Sequence, residues 1–273
     1  MPVTLLLHDV YAHAPSDSGF VGPVANRYKL PIAAFDAMLA RLAAAAPGAP
    51  VLAGDPRAFE PRAFLFTVDD GGASYYGLIA DRLEALGWRG HCFVSTDMIG
   101  RPGFLDRRQI RELHQRGHRI GSHSVTHPTR FSACAWRQMV EEWSGSRRTL
   151  EDILGAEVLS ASVPGGYYST TVAQSASASG VRVLFTSEPR RRVRRVLECD
   201  VIGRYTIREQ SPIDRAPALL SGHPGALGRE WAAWNTKKLV KPLLGSWYPR
   251  LGSWIARDGR DAMLPPVRKE KSS

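Results

Sequence analysis

Two histidines stand four residues apart in GSHSVTHP (121–128), as His123 and His127. Whether they can share one ion depends on the local backbone. In an extended strand, residues i and i+4 lie roughly 13 Å apart, whereas a helical turn brings them to about 6 Å. A single metal reached at about 2.1 Å from each imidazole nitrogen needs the second arrangement. Residues 117–120 (GHRI) read as a short strand, Ser122 can cap the next turn, and Pro128 ends it. The spacing therefore predicts strand, turn and a one-turn helix. A loop carrying two solvated histidines is the other reading of this segment taken alone.

A second segment, TVDDGG (67–72), sets Asp69 beside Asp70 ahead of two glycines. Asp-Gly is also ordinary turn chemistry. Adjacent carboxylates repel, however, unless a cation shares them or a partner holds one. A metal bound by Asp70, His123 and His127 resolves the repulsion. Two histidines and one carboxylate are the composition of a catalytic zinc-type site with positions left open for water and substrate. No glutamate stands between the two histidines, so the segment is not HExxH, and a base has to come from elsewhere. Asp69 lies next to a ligand. A metal there lowers the pKa of water toward about 7, and Asp69 is placed to take the proton as that water attacks a carbonyl. Backbone N–H groups near Gly166 and Tyr167, in the stretch PGGYY (164–168), are placed to support the resulting oxyanion.

These residues need a scaffold that gathers them. Short apolar runs alternate with amphipathic stretches along the chain. The pattern predicts strands at 3–7 (VTLLL), 64–68 (FLFTV), 90–96, 118–122, 158–163 and 181–187. It predicts helices at 32–46, 74–86, 106–117, within 133–154 and at 170–179. Strands separated by helices of this length indicate parallel βα units, and the count suits a distorted, incomplete (β/α) barrel. Such sheets put ligands at the carboxyl ends of their strands. His8 and Asp9, Asp69 and Asp70, His123, and the Pro164–Gly165–Gly166 stretch each follow a predicted strand, which makes one shared site the leading expectation.

The chain of 273 residues carries a formal charge of +10 and a pI near 9.9, so its surface should attract anions without choosing among lipids, nucleic acids and acidic glycans. Cys92, Cys134 and Cys199 are odd in number and widely spaced, which suggests neither a disulfide framework nor a zinc knuckle. The five apolar residues 3–7, interrupted by His8 and Asp9, are too short for a signal peptide or a membrane span. A cytoplasmic protein is expected. No recognised nucleic-acid module accompanies the basic residues.

The motifs TVDDG, HSVTHP and SVPGG resemble, in order and approximate spacing, those of the polysaccharide deacetylases, the NodB-homology domain of carbohydrate esterase family four; the resemblance covers roughly residues 3–207. It implies an α/β fold of the distorted barrel type and a divalent metal, zinc foremost with cobalt, nickel or manganese as alternatives. It also implies hydrolysis of an N-acetyl group from an amino sugar in a polysaccharide or glycoconjugate precursor. Carried over by position, Asp69 is the base and Asp70, His123 and His127 are the ligands. Two departures stand out. The third motif of the family usually has an arginine that orients the base, and here Ser162 occupies that place, leaving the orientation of Asp69 without an account. The fourth motif, with its Asp and Trp, has no counterpart in FTSEPRRRVRR. For the general acid, His8 in LLLHDV resembles the early histidine of the poly-N-acetylglucosamine deacetylases, while His223 in LLSGH satisfies the spacing of the late histidine of the fifth motif. His8, at a strand end, is the favoured choice. Pro164, Gly165, Gly166 and Tyr167 are expected to line the sugar.

The expected organisation is a deacetylase domain over residues 1–210 and a helical extension over 211–273 ending in a disordered tail. The run RRRVRR (190–195) reads as a solvated loop or an anion clamp. Trp231, Trp234, Trp247 and Trp254 among basic residues suggest either a helix packed on the barrel or a peripheral membrane contact. Two other functions fit the same residues. One is deformylation or other amide hydrolysis on a lipid-linked sugar. The other is a non-catalytic glycan- or membrane-binding protein on a decayed barrel, motivated by the missing arginine and fourth motif.

Overall fold

The structure, a computed structural model, describes residues 2–60, 63–222, 225, 227–232 and 234. Elements follow one another as β1 (Val3–Leu7), β2 (Val10–Tyr11), α1 (Pro23–Asn26), β3 (Leu30–Pro31), α2 (Ile32–Ala45), β4 (Phe64–Val68), α3 (Ala80–Ala85), β5 (His91–Val94), α4 (Arg107–Gln115), β6 (Arg119–Ser122), α5 (Trp136–Leu154), β7 (Ser160–Ser162), α6 (Thr170–Ala178), β8 (Val183–Phe185), β9 (Arg194–Val196), β10 (Cys199–Ile202), β11 (Tyr205–Thr206) and α7 (Arg215–Leu220). Nine strands form one sheet in the order β11-β1-β4-β5-β6-β7-β8-β10-β9, and β2 pairs β3 separately. Every pairing in the large sheet is parallel except β9 with β10. The edge strands β9 and β11 do not pair with each other, so the curled sheet remains an open half-barrel with helices on its outer face, as the alternating pattern predicts.

Strand alternation assigns the two faces. Val3, Leu5 and Leu7 of β1, Phe64, Phe66 and Val68 of β4, and Cys92 and Val94 of β5 pack with residues of α2, α3 and α4. Ala161, Leu184 and Val201 pack with Met139 and Trp143 of α5 and with α6. The intervening residues Leu65, Phe93, Phe185 and Ile202 form a separate cluster on the inner face, covered by Val51, Ala53 and Ala58. Burial on both faces explains why β1 and β4 read as nearly continuous apolar runs. Helix ends follow their local signals. Asp106 and Gln109 form a capping box at α4, and Gly155 ends α5 in the left-handed conformation.

Two expectations need amendment. The helix expected at 74–86 opens with a π turn over Tyr75–Ile79. The run 190–195 is not wholly a loop. Arg194 and Arg195 lie on the edge strand β9, where Arg195 pairs with Asp200 and Glu198, and Arg190 and Arg194 approach Glu188. The first compact unit spans Met1–Glu230, and α7 packs its Ala216 and Leu219 into the core beside α2. The second unit, residues 231–273, falls almost entirely outside the described residues, as do His223, Trp247, Trp254 and the expected tail. Among the described residues no helix is long and apolar enough to cross a membrane.

Candidate active site

The inner-face row of each strand ends, at the carboxyl rim, in a polar residue. Two residues beyond inward Leu6 comes His8, beyond Thr67 comes Asp69, beyond Gly121 comes His123, beyond Ser160 comes Ser162, and beyond Ile202 comes Arg204. Parallel pairing keeps these ends level. Asp69 N–H donates to the Leu7 carbonyl at 3.0 Å and His123 N–H to the Val94 carbonyl at 2.9 Å. The sheet, not the local sequence, brings residues from distant parts of the chain to one place.

Asp70 adopts a left-handed φ of 80°, a conformation uncommon for a residue with a side chain. This turns its carboxylate back toward the histidines. Its Oδ1 lies 3.4 Å from His123 Nε2 and 3.6 Å from His127 Nε2. Tetrahedral ligands at about 2.1 Å from a common ion stand about 3.4 Å apart, so both separations suit a shared cation. One ligand atom from each of Asp70, His123 and His127 lies within 4.8 Å of the others. His123 Nδ1–H donates to the Ser162 carbonyl at 2.9 Å, which leaves the Nε2 lone pair facing the carboxylates. This is the outer hydrogen bond that fixes tautomer and ring orientation in metal-binding histidines. The donor set therefore fits a divalent cation.

The one-turn helix expected between the histidines does not form. Ser124 and His127 take left-handed φ values of 69° and 55° in a tight loop. The reason is Glu142, a buried carboxylate of α5. Its Oε2 accepts from the N–H groups of Val125 and Thr126 at 2.8 and 2.9 Å, and its Oε1 accepts from Thr126 Oγ1 at 2.6 Å. Ser124 Oγ accepts from His127 N–H at 3.1 Å. These bonds replace those a helical turn would make, and the rings of His123 and His127 still come to 5.0 Å. Phe20 covers the outer side of His127 at 4.9 Å.

Asp69 is held by a residue that sequence reasoning missed. Arg204, fully buried, donates from Nη1 to Asp69 Oδ1 and from Nη2 to Oδ2, both at 2.7 Å. Nη2 also donates to Ser162 Oγ at 2.7 Å, and that hydroxyl donates to Asp69 Oδ2 at 2.9 Å. Ser162, where the resemblance leads one to expect an arginine, thus leaves room for an arginine arriving from the junction of β10 and β11. Gly203 permits the approach, because a Cβ there would strike the Glu188 carbonyl. The available signal was a charged residue inside the apolar stretch VIGRYTI (201–207), which a sheet tolerates only with a buried partner.

Electrostatics agree with this geometry. Burial would raise the Asp69 carboxyl, but the charges of Arg204, His123 and His8 override it and hold the group below the ordinary carboxylate range. Burial opposes ionisation of Asp70 as well, and the hydrogen bond to His123 with the charges of His8, His123 and His127 drives it well below that range. Burial disfavours charge on both histidines. Asp69 and Asp70 outweigh it at His123, whose pKa is raised, whereas at His127 burial and the neighbouring His123 prevail and lower it. The register of β1 with β4, Leu7 opposite Val68, brings His8 abreast of Asp69. The His8 ring rests 4.8 Å from the Tyr28 ring, and its Nδ1 is buried without a hydrogen-bond partner. Beyond β7, Pro164–Gly166 forms a tight turn with Gly165 and Gly166 at φ 62° and 72°. A Cβ on Gly165 would strike the Thr129 carbonyl. Tyr167 follows, with the Arg130 guanidinium 5.3 Å above its ring.

The open parallel half-barrel matches the incomplete (β/α) barrel of the NodB-type deacetylases. Residues 57–184 match the family model described as polysaccharide deacetylase. The Bacillus subtilis protein YxkH, provisionally assigned as a polysaccharide deacetylase, is 26% identical over 125 residues, 46% of this chain and 44% of its own length. The match thus spans less than half of that relative. A polysaccharide deacetylase from Bacillus cereus shares the fold with a TM-score of 0.67 at 17% identity, over 80% of this chain and 68% of its own. A Streptococcus pyogenes deacetylase solved with acetate does so at 0.63 and 17%, over 81% and 96%. A de-N-acetylase from Aggregatibacter actinomycetemcomitans reaches 0.64 at 15%, over 77% and 96%.

Proposed function

We propose that the chain is a metal-dependent deacetylase that hydrolyses the N-acetyl group of an amino sugar in a polysaccharide or glycoconjugate precursor. The observation that carries this reading is the Asp70–His123–His127 triad beside an Asp69 clamped in its ionised form by Arg204. Asp70, His123 and His127 would hold the cation. A divalent cation bound there supplies Lewis-acid chemistry, acidifying water and polarising the amide carbonyl. Asp69 accepts the proton of the attacking water, and Arg204 and Ser162 fix the direction of its carboxylate. The water oxygen bonds to the acetyl carbon, the C–N bond breaks, and His8 delivers a proton to the departing amine nitrogen. Pro164, Gly165, Gly166 and Tyr167 form the wall against which the sugar lies, the Tyr167 ring offering a stacking face.

The Arg204 clamp removes one of the two motives for reading the scaffold as decayed, since the role left empty at Ser162 is filled from another strand. Three unpaired cysteines, two of them buried, accord with a reducing compartment and the cytoplasmic placement we favour. The purified chain should carry close to one divalent ion and release acetate from N-acetylglucosamine oligomers, and Asp70→Asn should stay folded and release none. Formate released in place of acetate from matched N-acyl sugars would identify a deformylase. A folded chain that binds no metal and releases neither acid would end the proposal.

A further inference from the structure

The inner row of strand ends has one more member. β11 pairs with β1 in parallel with Thr206 opposite Leu6, and Ile207 N–H donates to the Leu6 carbonyl at 2.8 Å. Arg208 therefore leaves the sheet abreast of His8. Tyr205 and Ile207 pack into the helix-side core, so alternation turns Thr206 and Arg208 to the inner face, the face that carries the site. Tyr28 stands between the two residues. The Arg208 guanidinium lies 4.7 Å from the Tyr28 ring centroid, and that ring lies 4.8 Å from His8.

Arg208 is half-buried, its Nε is buried without a hydrogen-bond partner, and it joins no ion pair among the described residues. Several other partly or fully buried arginines are paired with carboxylates, Arg204 with Asp69, Arg116 with Glu84, Arg147 with Glu151, and Arg215 with Glu230, and Arg89 donates to the Arg116 and Trp88 carbonyls. The neighbouring Glu209 is exposed, and its charge bears on Tyr11. A guanidinium taken partly out of water without a carboxylate is costly. Stacking on Tyr28 offsets part of that cost and orients the planar fork, whose geometry matches carboxylate and phosphate.

We propose that Arg208, backed by Tyr28, is an anion subsite that receives a phosphate or carboxylate carried by the sugar next to the reacting group. The assignment of that sugar rests on the deacetylase reading. The subsite itself is tested by binding. Dissociation constants of N-acetylglucosamine 6-phosphate and N-acetylglucosamine are measured by titration calorimetry with the full chain and with Arg208→Gln. Wild type should prefer the phosphorylated sugar by roughly tenfold or more, as a charge-assisted contact allows. Arg208→Gln should bring the ratio close to one, and Arg208→Lys should restore part of it, which also controls for misfolding. N-acetylmuramic acid in the same comparison separates carboxylate from phosphate recognition, since the ligand whose preference collapses in Arg208→Gln identifies the source. Equal affinities for charged and neutral sugars in wild type, or a preference that survives Arg208→Gln, would overturn the proposal. A chain that shows the preference yet releases no acetate would support the subsite while failing the deacetylase reading.

Discussion

His118 and His123 bracket the same strand, β6, and do opposite things. At its amino end, His118 has both ring nitrogens engaged, Nδ1 with Tyr75 Oη at 2.9 Å and Nε2 with Glu84 Oε1 at 3.0 Å. His91, at the amino end of β5, is likewise satisfied, by Ala53 N–H at 2.9 Å and the Phe66 carbonyl at 3.2 Å. At the carboxyl end of β6, His123 commits one nitrogen to the Ser162 carbonyl and aims the other at two carboxylates. A buried histidine whose two nitrogens are both answered by protein is part of the packing. One whose second nitrogen faces acids at the carboxyl rim is built for a cation.

The sharpest way to break this comparison is to exchange the two ends. His123→Ala should reduce metal affinity by more than the roughly 10²-fold seen when outer partners are removed, read as metal content near zero after dialysis. His118→Gln should retain the metal while losing stability. Metal retained in the first variant, or lost in a folded second one, would undo the distinction.

The next effect belongs to the Asp69–Arg204 pair. Both members are buried, so Arg204→Met strands a carboxylate and should cost about 3–5 kcal/mol in denaturant unfolding. The sign of the accompanying pH effect comes from a depressed folded pKa. Asp69 contributes stability that is present above its ordinary carboxylate value and lost as pH falls through the depressed one. Removing Arg204 should accordingly move the acid limb of the activity profile to higher pH. An unmoved limb would mean that Arg204 supports the barrel and not the base.

His8→Ala is expected to lower kcat by roughly 10²-fold with metal content intact. Near-normal turnover would transfer the proton-donor role elsewhere, His223 being the alternative raised by its sequence spacing.

The smallest effect separates the two ends of the strands by sign. Burial pushes His91 down from 6.5 to about 3, so its contribution is present above 6.5 and lost as pH falls toward 3. Between pH 6.5 and 5.5 this amounts to about 1 kcal/mol, measurable by urea unfolding and absent in His91→Phe. His123, with a raised pKa, contributes in the opposite sense in metal-free protein: fully at low pH, and progressively less as pH rises through its folded value. A stability curve flat over both ranges would count against either histidine having the environment described.

Much of the fold was legible because its signals are local. Nearly continuous apolar runs such as FLFTV and VTLLL mark strands buried on both faces, and helical periodicity between them dictates parallel crossovers. Asp70, His123 and His127 were legible as chemistry, since residue types at strand ends and a spacing of four carry a metal reading before any coordinates exist. The shape of the loop joining the histidines was not. Its left-handed Ser124 and His127 are stabilised by Glu142, which lies 17 residues beyond Val125 on another element. The short strands β9, β10 and β11 also escaped, because segments of two to four residues carry little periodicity.

What the sequence determined by itself was the set of reactive groups, the parallel half-barrel and the rim on which those groups fall, because side-chain alternation and strand direction are consequences of local backbone geometry. What only the tertiary structure decided was the partnership of those groups. Arg204 meets Asp69 across 135 positions of chain, and Arg208 comes abreast of His8 through the pairing of the last strand with the first. Such contacts are set by sheet order and register, which depend on how the whole core packs and which no short window of sequence encodes.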